Sequence, residues 1–391
     1  MNNYCVLPFN SVSINATGEI RQCCNATGKT EVFITDADII NNDYIKDIRR
    51  AFIKDKRHSA CERCWKMEDA GSSSFRHYSN DNPEYGIRGR NPLLKENISY
   101  TDIEYIDITL GNTCNLACRM CNAYSSSLLA KQLTELGTYN GPVDITFEGS
   151  AKQKVLDLFS NAINLKAIYM LGGEPLINPL HDEILQLLID NGTAKNISLH
   201  YNTNLQVNKI SKYLDKWEHF SRIDLQASID GHGDVYNYIR WPGDWNKVYN
   251  NLKDVLLNTD KQKYNVSIST TLQNINAENI FTLIDECKNL CDKTVPFFFI
   301  PVVGNSTLSL APNKILKQGI NRIENLQGLV GPKDDLLANY VSALKTTPSR
   351  QQALEFFRDM KMFDQKRNQN LFTTIPFMEQ VADEHGVAKW L

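Results

Sequence analysis

Three cysteines at the spacing C-x3-C-x2-C limit this chain more than any other feature. They are Cys114, Cys118 and Cys121, within IEYIDITLGNTCNLACRMC, which runs from Ile103 to Cys121. Ile103 to Leu110 alternates and is rich in Ile and Thr, so it reads as a strand. Gly111 and Asn112 break it into a loop. Three thiolates on one short loop can hold three corners of a four-iron cluster and leave one iron without a protein ligand. A zinc knuckle with a fourth ligand nearby, or buried thiols packing as small hydrophobes, would use the same residues.

Composition narrows the setting. The chain has 391 residues, which is enough for two or three units around a full core. A net charge of −3 provides no basic field, so nucleic acid is not an expected partner. No apolar run approaches the roughly 18 residues of a membrane span, and MNNYCVLPFN lacks the parts of a signal peptide. A cytoplasmic location is therefore expected. Of the ten cysteines, eight fall in the first 121 residues, which places metal or redox chemistry at that end rather than disulfides.

A second cysteine set precedes the first: Cys5, the pair Cys23 and Cys24, then Cys61 and Cys64. VLPFNSVSINATGEIRQ reads as two short strands around a turn at Asn15 to Gly18. Such a hairpin brings Cys5 and Cys23 together. Cys61-x2-Cys64 supplies two more thiols from a tight turn, and four thiolates suit zinc or an iron–sulfur cluster. From Ile103 onward a βα rhythm sets in. Strands read at 103–110, 167–171, 197–202, 222–229, 265–272 and 295–300, with an extra helix at 152–163 before the second. Six such units predict a partial (β/α)6 barrel of the TIM type, with ligands at the C-terminal strand ends. Residues 80–100 read as a surface linker, and the chain from 306 to 391 as a helical extension, with one helix over Ser349–Phe363.

The strand followed by C-x3-C-x2-C resembles the signature of the radical S-adenosylmethionine (AdoMet) superfamily. Met120 stands where that family usually has an aromatic residue near the adenine. The resemblance implies an enzyme that cleaves S-adenosyl-L-methionine reductively to methionine and a 5′-deoxyadenosyl radical, which takes hydrogen from a substrate. It also implies a [4Fe-4S] cluster on Cys114, Cys118 and Cys121. Gly172-Gly173-Glu174 after the second strand resembles the family's motif for the AdoMet amino group. Asn202 and Asn204 supply amides at the third strand end. Ser228 resembles the ribose-binding serine, Arg240 lies where one branch grips the methionyl carboxylate, and SISTTLQN offers backbone to the adenine. The alternative for Arg240 is an ordinary surface ion pair.

The spacing of Cys5, Gly18 and Cys23, with CERCWKMEDAGSSSFR and its Glu68, Gly71, Ser74 and Arg76, resembles the SPASM/twitch auxiliary-cluster domain. Here it precedes the barrel, as in one branch of the family. That implies a second [4Fe-4S] cluster on Cys5, Cys23, Cys61 and Cys64. The Gly-x4-Cys spacing favours Cys23 over Cys24. The resulting division is 1–90 auxiliary, 100–305 barrel and 306–391 extension. SPASM/twitch relatives mostly modify peptides or protein side chains, so a peptide is the expected substrate and a small molecule the alternative. A flavodoxin- or ferredoxin-type donor would supply electrons. A non-catalytic iron–sulfur or zinc scaffold is the reading of another class. Cys287 and Cys291, four apart on a helix face, read as core packing.

Overall fold

The computed structural model describes residues 3–87, 91–290, 295–302, 304–326 and 333–387. Eight strands form one sheet in the order β2-β1-β3-β4-β5-β6-β7-β8. They are β1 Ser11–Ile14, β2 Ile20–Arg21, β3 Tyr105–Thr109, β4 Ala167–Leu171, β5 Ser198–Thr203, β6 Arg222–Ser228, β7 Tyr264–Leu272 and β8 Phe297–Pro301. The pairs β3–β4, β4–β5 and β7–β8 are parallel, with Tyr105 opposite Ala167, Ala167 opposite Ser198 and Ile268 opposite Phe297. Helices separate these strands in sequence, which gives the partial TIM-like architecture expected of six βα units. The hairpin expected near the N-terminus is present, with Ile14 opposite Ile20. Its first strand also runs parallel to β3, with Ser11 opposite Tyr105. Local alternation in SVSI gave no sign of that partner.

Strand alternation separates two faces. Ile168, Met170, Leu199 and Tyr201 are buried, whereas Tyr169, Leu171, His200 and Asn202 are half-buried. One face thus packs apolar side chains while the other stays polar and partly open. In register, Asp107 lies beside Tyr169 and Tyr169 beside His200, making a polar row across β3, β4 and β5.

Helix Pro179–Asp190 shows how the loops are set. Asn178 caps it by accepting from Leu180 N, and Pro179 occupies the first turn, where a missing N–H costs nothing. The same Asn178 donates through Nδ2 to Leu110 O at 2.6 Å, fixing the helix start against the end of β3. Leu180, His181, Ile184, Leu185 and Leu188 are its buried residues, and Leu187 is half-buried. The inserted helix spans Gly149–Asn161. Near the C-terminus, Ser349 and Gln352 form a capping box that opens helix Arg350–Arg367. No helix among the described residues is long and apolar enough to cross a membrane.

The chain divides into two compact units. The first comprises Met1–Asn115, Ala123–Asn202 and Lys212–Asp224; the second comprises Leu116–Asn122, Thr203–Ser211 and Leu225–Leu391.

Candidate functional site: two sets of cysteines

In the first unit, Cys5, Cys23, Cys61 and Cys64 line one small cavity. Cys5 precedes the turn Leu7–Asn10 that leads into β1, and Cys23 follows β2, so the hairpin brings the two together. Cys61 stands at the start of helix Glu62–Asp69, and Cys64 lies in its first turn. Burial pushes the Cys61 thiol up to about 12 and raises Cys5 and Cys23 as well. Such thiols ionise readily only when a positive centre joins them. The donor set suits an iron–sulfur cluster or zinc. Among the described residues, no three His, Cys, Asp or Glu side chains are gathered as a ready site for a single metal ion.

Glu68, Gly71, Ser74 and Arg76 share one structural task. Arg76 makes a bidentate pair with Glu68, at 2.9 Å from Nε to Oε1 and 2.7 Å from Nη2 to Oε2. Its Nη1 donates to Tyr4 O at 2.8 Å, next to Cys5. Ser74 Oγ donates to Glu68 Oε1 at 2.5 Å. Burial opposes ionisation of Glu68, but the hydrogen bonds from Arg76 and Ser74 hold it below the ordinary carboxylate range. Gly71 turns the chain at φ 80° between these partners, in the left-handed region that favours glycine. Cys24 is exposed and hydrogen-bonds Asp107.

Cys114, also in the first unit, is half-buried, and its N–H donates to Ser127 Oγ at 3.3 Å. The approach to it is pinned by Asn112, which is fully buried. Asn112 Nδ2 donates to Ala123 O and Val143 O, while its Oδ1 accepts from Ile145 N. Gly172 and Gly173, at φ 93° and 53°, pack onto the same loop. A Cβ on Gly172 would lie 2.5 Å from Gly111 O, and one on Gly173 would lie 2.0 Å from Thr113 O. The glycine pair therefore makes its close approach to the chain's own cysteine loop. Glu174 N donates to Thr113 O at 2.8 Å, and its carboxylate caps Leu176 N. Asn202 Oδ1 accepts from Tyr169 OH at 2.9 Å.

In the second unit, Cys118 is buried and Cys121 half-buried. The residues flanking Cys118 are laid along residues 239–241: Ala117 N donates to Trp241 O and Arg119 N to Ile239 O. Arg240 is buried, its Nε donating to Asp230 Oδ2 at 2.7 Å and its Nη1 lying 3.9 Å from Cys118 Sγ. It is therefore not a surface ion pair. Burial opposes its charge, but Asp230 and Cys118 outweigh that and raise its pKa. Burial also raises the Cys121 thiol, with Arg240 acting in the opposite sense. Ser228 ends β6 half-buried. Asn204 uses its Oδ1 to accept from Gln206 N, capping the turn after β5. Cys287 is buried; Cys291 lies outside the described residues.

Several side chains in these surroundings escape a reading of spacing alone. Asp107, an acid within the otherwise apolar β3, is 3% exposed, and burial pushes its carboxyl up to about 6 despite bonds from Cys24 and Tyr105. An acid at an inward strand position is itself a signal. The buried Arg119 and Arg367 and the half-buried Asp364 form an ionic group on the cysteine segment. Only Arg119, a cation inside a cysteine loop, carries a hint of it.

Residues 108–287 match the family profile described as the Radical SAM superfamily. The matched stretch begins within β3 and includes Cys114, Cys118, Cys121, Gly172–Glu174, Ser228 and Arg240. No curated protein matches the chain. Among solved structures it is similar to native anSMEcpe with bound AdoMet, at 17% identity and TM-score 0.42, over 59% of this chain and 64% of that one. Native anSMEcpe with AdoMet and the Cp18Cys peptide matches at 16% and 0.41, over 59% and 63%. Streptococcus suis SuiB bound to precursor peptide SuiA matches at 14% and 0.37, over 90% and 78%. The chain thus spans less than two thirds of the length of the first of these.

Proposed function

We propose that this chain is a radical AdoMet enzyme acting on a peptide or protein side chain. The observation that carries the reading is the match of residues 108–287 to the Radical SAM superfamily profile, a stretch that contains all three cysteines of the C-x3-C-x2-C loop. Cys114, Cys118 and Cys121 would hold an AdoMet-binding [4Fe-4S] cluster, and Cys5, Cys23, Cys61 and Cys64 a second one. When bound, the first cluster and AdoMet supply reductive cleavage and a radical that removes hydrogen from substrate.

The protein's own part is to bind, orient and exclude water. Asn112 fixes the entry to the Cys114 loop, and Gly172–Glu174 lie against it, so the motif assigned to the AdoMet amino group sits on the loop's own backbone. Arg240 would receive the methionyl carboxylate. With Nε occupied by Asp230, it would do so through its terminal nitrogens. Asn202, Asn204 and Ser228 would complete the AdoMet contacts at strand ends. Residues 1–90 would act as the auxiliary domain, 100–305 as the barrel and 306–391 as the extension, with electrons from a flavodoxin- or ferredoxin-type donor. The resemblance of Cys5 to Arg76 to the SPASM/twitch domain supports a peptide substrate.

The test is anaerobic reconstitution, reduction by dithionite, and quantification of 5′-deoxyadenosine. The native chain should form it. Cys114→Ala, Cys118→Ala and Cys121→Ala should each reduce it by about 100-fold or more, since a three-ligand cluster tolerates no missing ligand. Comparable turnover in all three variants would overturn the assignment.

A further inference from the structure

Helix Arg350–Arg367 belongs to a stretch in which the sequence shows no ligand set, yet its last turn holds the second unit's cysteine segment. Arg119, next to Cys118, has a side chain 1% exposed and donates from Nη2 to Asp364 Oδ1 at 2.6 Å. The same nitrogen reaches Gln369 Oε1 at 2.9 Å, and Nε donates to Tyr238 O at 2.9 Å. The guanidinium lies 3.6 Å over the Tyr238 ring. Asp364 uses its other oxygen, Oδ2, to accept from Leu371 N at 2.7 Å, so the carboxylate is fixed on both sides. One turn further, Arg367 donates from Nη2 to Ala117 O at 2.8 Å and lies over Phe363 at 4.2 Å and Trp241 at 5.1 Å.

Residues on both sides of Cys118 in this segment are thus held by one helical turn, through two buried guanidinium groups. The charges also matter for the thiolate. Arg240 stands 3.9 Å from its sulfur, paired with Asp230, while Arg119 is paired with Asp364 and Arg367 adds a second positive charge that the same carboxylate offsets in part. Charges in a buried site interact far more strongly than in water, and net charge and hydrogen bonds to sulfur are levers on a cluster's reduction potential.

We propose that Asp364 and Arg367 are positioning residues: through Arg119 and the Ala117 carbonyl they fix the Cys118 segment and set the reduction potential of the cluster assigned to it. This rests on the functional reading above for the cluster, but the holding of the segment stands on the chain alone. The two residues have opposite charges, so the account requires opposite effects on the potential. Removing the anion leaves an excess of positive charge beside the cluster and favours the reduced state. Removing the cation does the reverse. A purely mechanical strap would move both in the same direction.

The experiment uses the full chain with Asp364→Asn, Arg367→Gln and Asp364→Glu. In reconstituted protein, an EPR-monitored titration reads the midpoint potential of the AdoMet-responsive cluster. It should rise in Asp364→Asn, fall in Arg367→Gln and return toward the native value in Asp364→Glu. In metal-free protein, iodoacetamide labelling followed by mass spectrometry reads access to Cys118. It should be several-fold faster in Asp364→Asn and Arg367→Gln, with labelling of Cys64 unchanged. Unchanged labelling of Cys118 would overturn the strap. Potentials that stay fixed, or shift the same way in both variants, would overturn the electrostatic role. If the native chain assembles no AdoMet-responsive cluster, the functional reading fails, while the labelling arm still decides the strap.

Discussion

The two cysteine sets are held by opposite means. The N-terminal set draws its four sulfurs from well-separated places, the approach to β1, the exit from β2 and the start of helix Glu62–Asp69, yet its fasteners are mostly close in sequence. Glu68, Ser74 and Arg76 lie within nine residues and form one hydrogen-bonded group. The second set places its three sulfurs on one loop, but its fasteners come from afar. Gly172 and Gly173 press on the approach to Cys114, and Asp364 and Arg367 hold the segment around Cys118. A local ligand motif needs remote support to have a fixed shape, because a loop of eight residues has no core of its own. A dispersed ligand set needs the fold to gather it, and local bonds then suffice to lock it.

This contrast makes Arg76→Ala the most damaging of the non-cysteine changes. It would leave the half-buried Glu68 without its guanidinium partner and Tyr4 O with Asn80 Nδ2 alone as side-chain donor, a loss of about 3 kcal/mol. Urea unfolding should show that loss, and the iron retained by the N-terminal set should fall with it while Cys118 labelling stays native. Loss of less than about 1 kcal/mol would mean that the network is not the fastener.

Glycines sharpen the same comparison. Gly173→Ala places a methyl 2.0 Å from Thr113 O, a backbone atom, and should cost about 3 kcal/mol or more and slow AdoMet cleavage. Gly71→Ala has nothing within 4 Å and meets only the left-handed backbone, costing about 1–2 kcal/mol. Equal costs would contradict the claim that the Gly172–Gly173 pair is fixed by contact with the cysteine loop.

A smaller effect is set by pH. His200 of β5 lies between Asp224 Oδ2 at 3.0 Å and Glu84 Oε2 at 3.2 Å, which ties the segment beyond the N-terminal cysteines to the sheet within the first unit. Burial lowers the imidazole, but these two carboxylates outweigh it and raise it to about 9. Its contribution is complete below about pH 6.5, the unfolded value, and is lost as pH rises through about 9. Thermal unfolding of the native chain should lose about 2 kcal/mol over that window, and His200→Asn should flatten it. Parallel pH profiles for the two proteins would remove the clamp.

Much of this was legible because it is local. Strand alternation located all six barrel strands within two residues, and the inserted helix expected at 152–163 lies at Gly149–Asn161. Spacing singled out the cysteine loop before any contact was known. What sequence withheld was long-range: that β1 pairs with β3, that Gly172–Gly173 are required by Gly111–Thr113, and that residues 364 and 367 serve residues 117 and 119. The separation of 245 positions between Arg119 and Asp364 leaves no periodic trace. Asp107 was readable in principle, since an acid at an inward strand position is unusual.

The central claim is that one cysteine set leaves an iron open to AdoMet and the other does not. EPR of the anaerobically reconstituted, dithionite-reduced chain, recorded with and without AdoMet beside iron and sulfide analysis, tests it most directly. The account predicts about eight irons per chain and two reduced-cluster signals, of which only the one abolished by Cys118→Ala changes on adding AdoMet. About four irons per chain, stoichiometric zinc, or a signal that responds to AdoMet yet survives Cys118→Ala would contradict it.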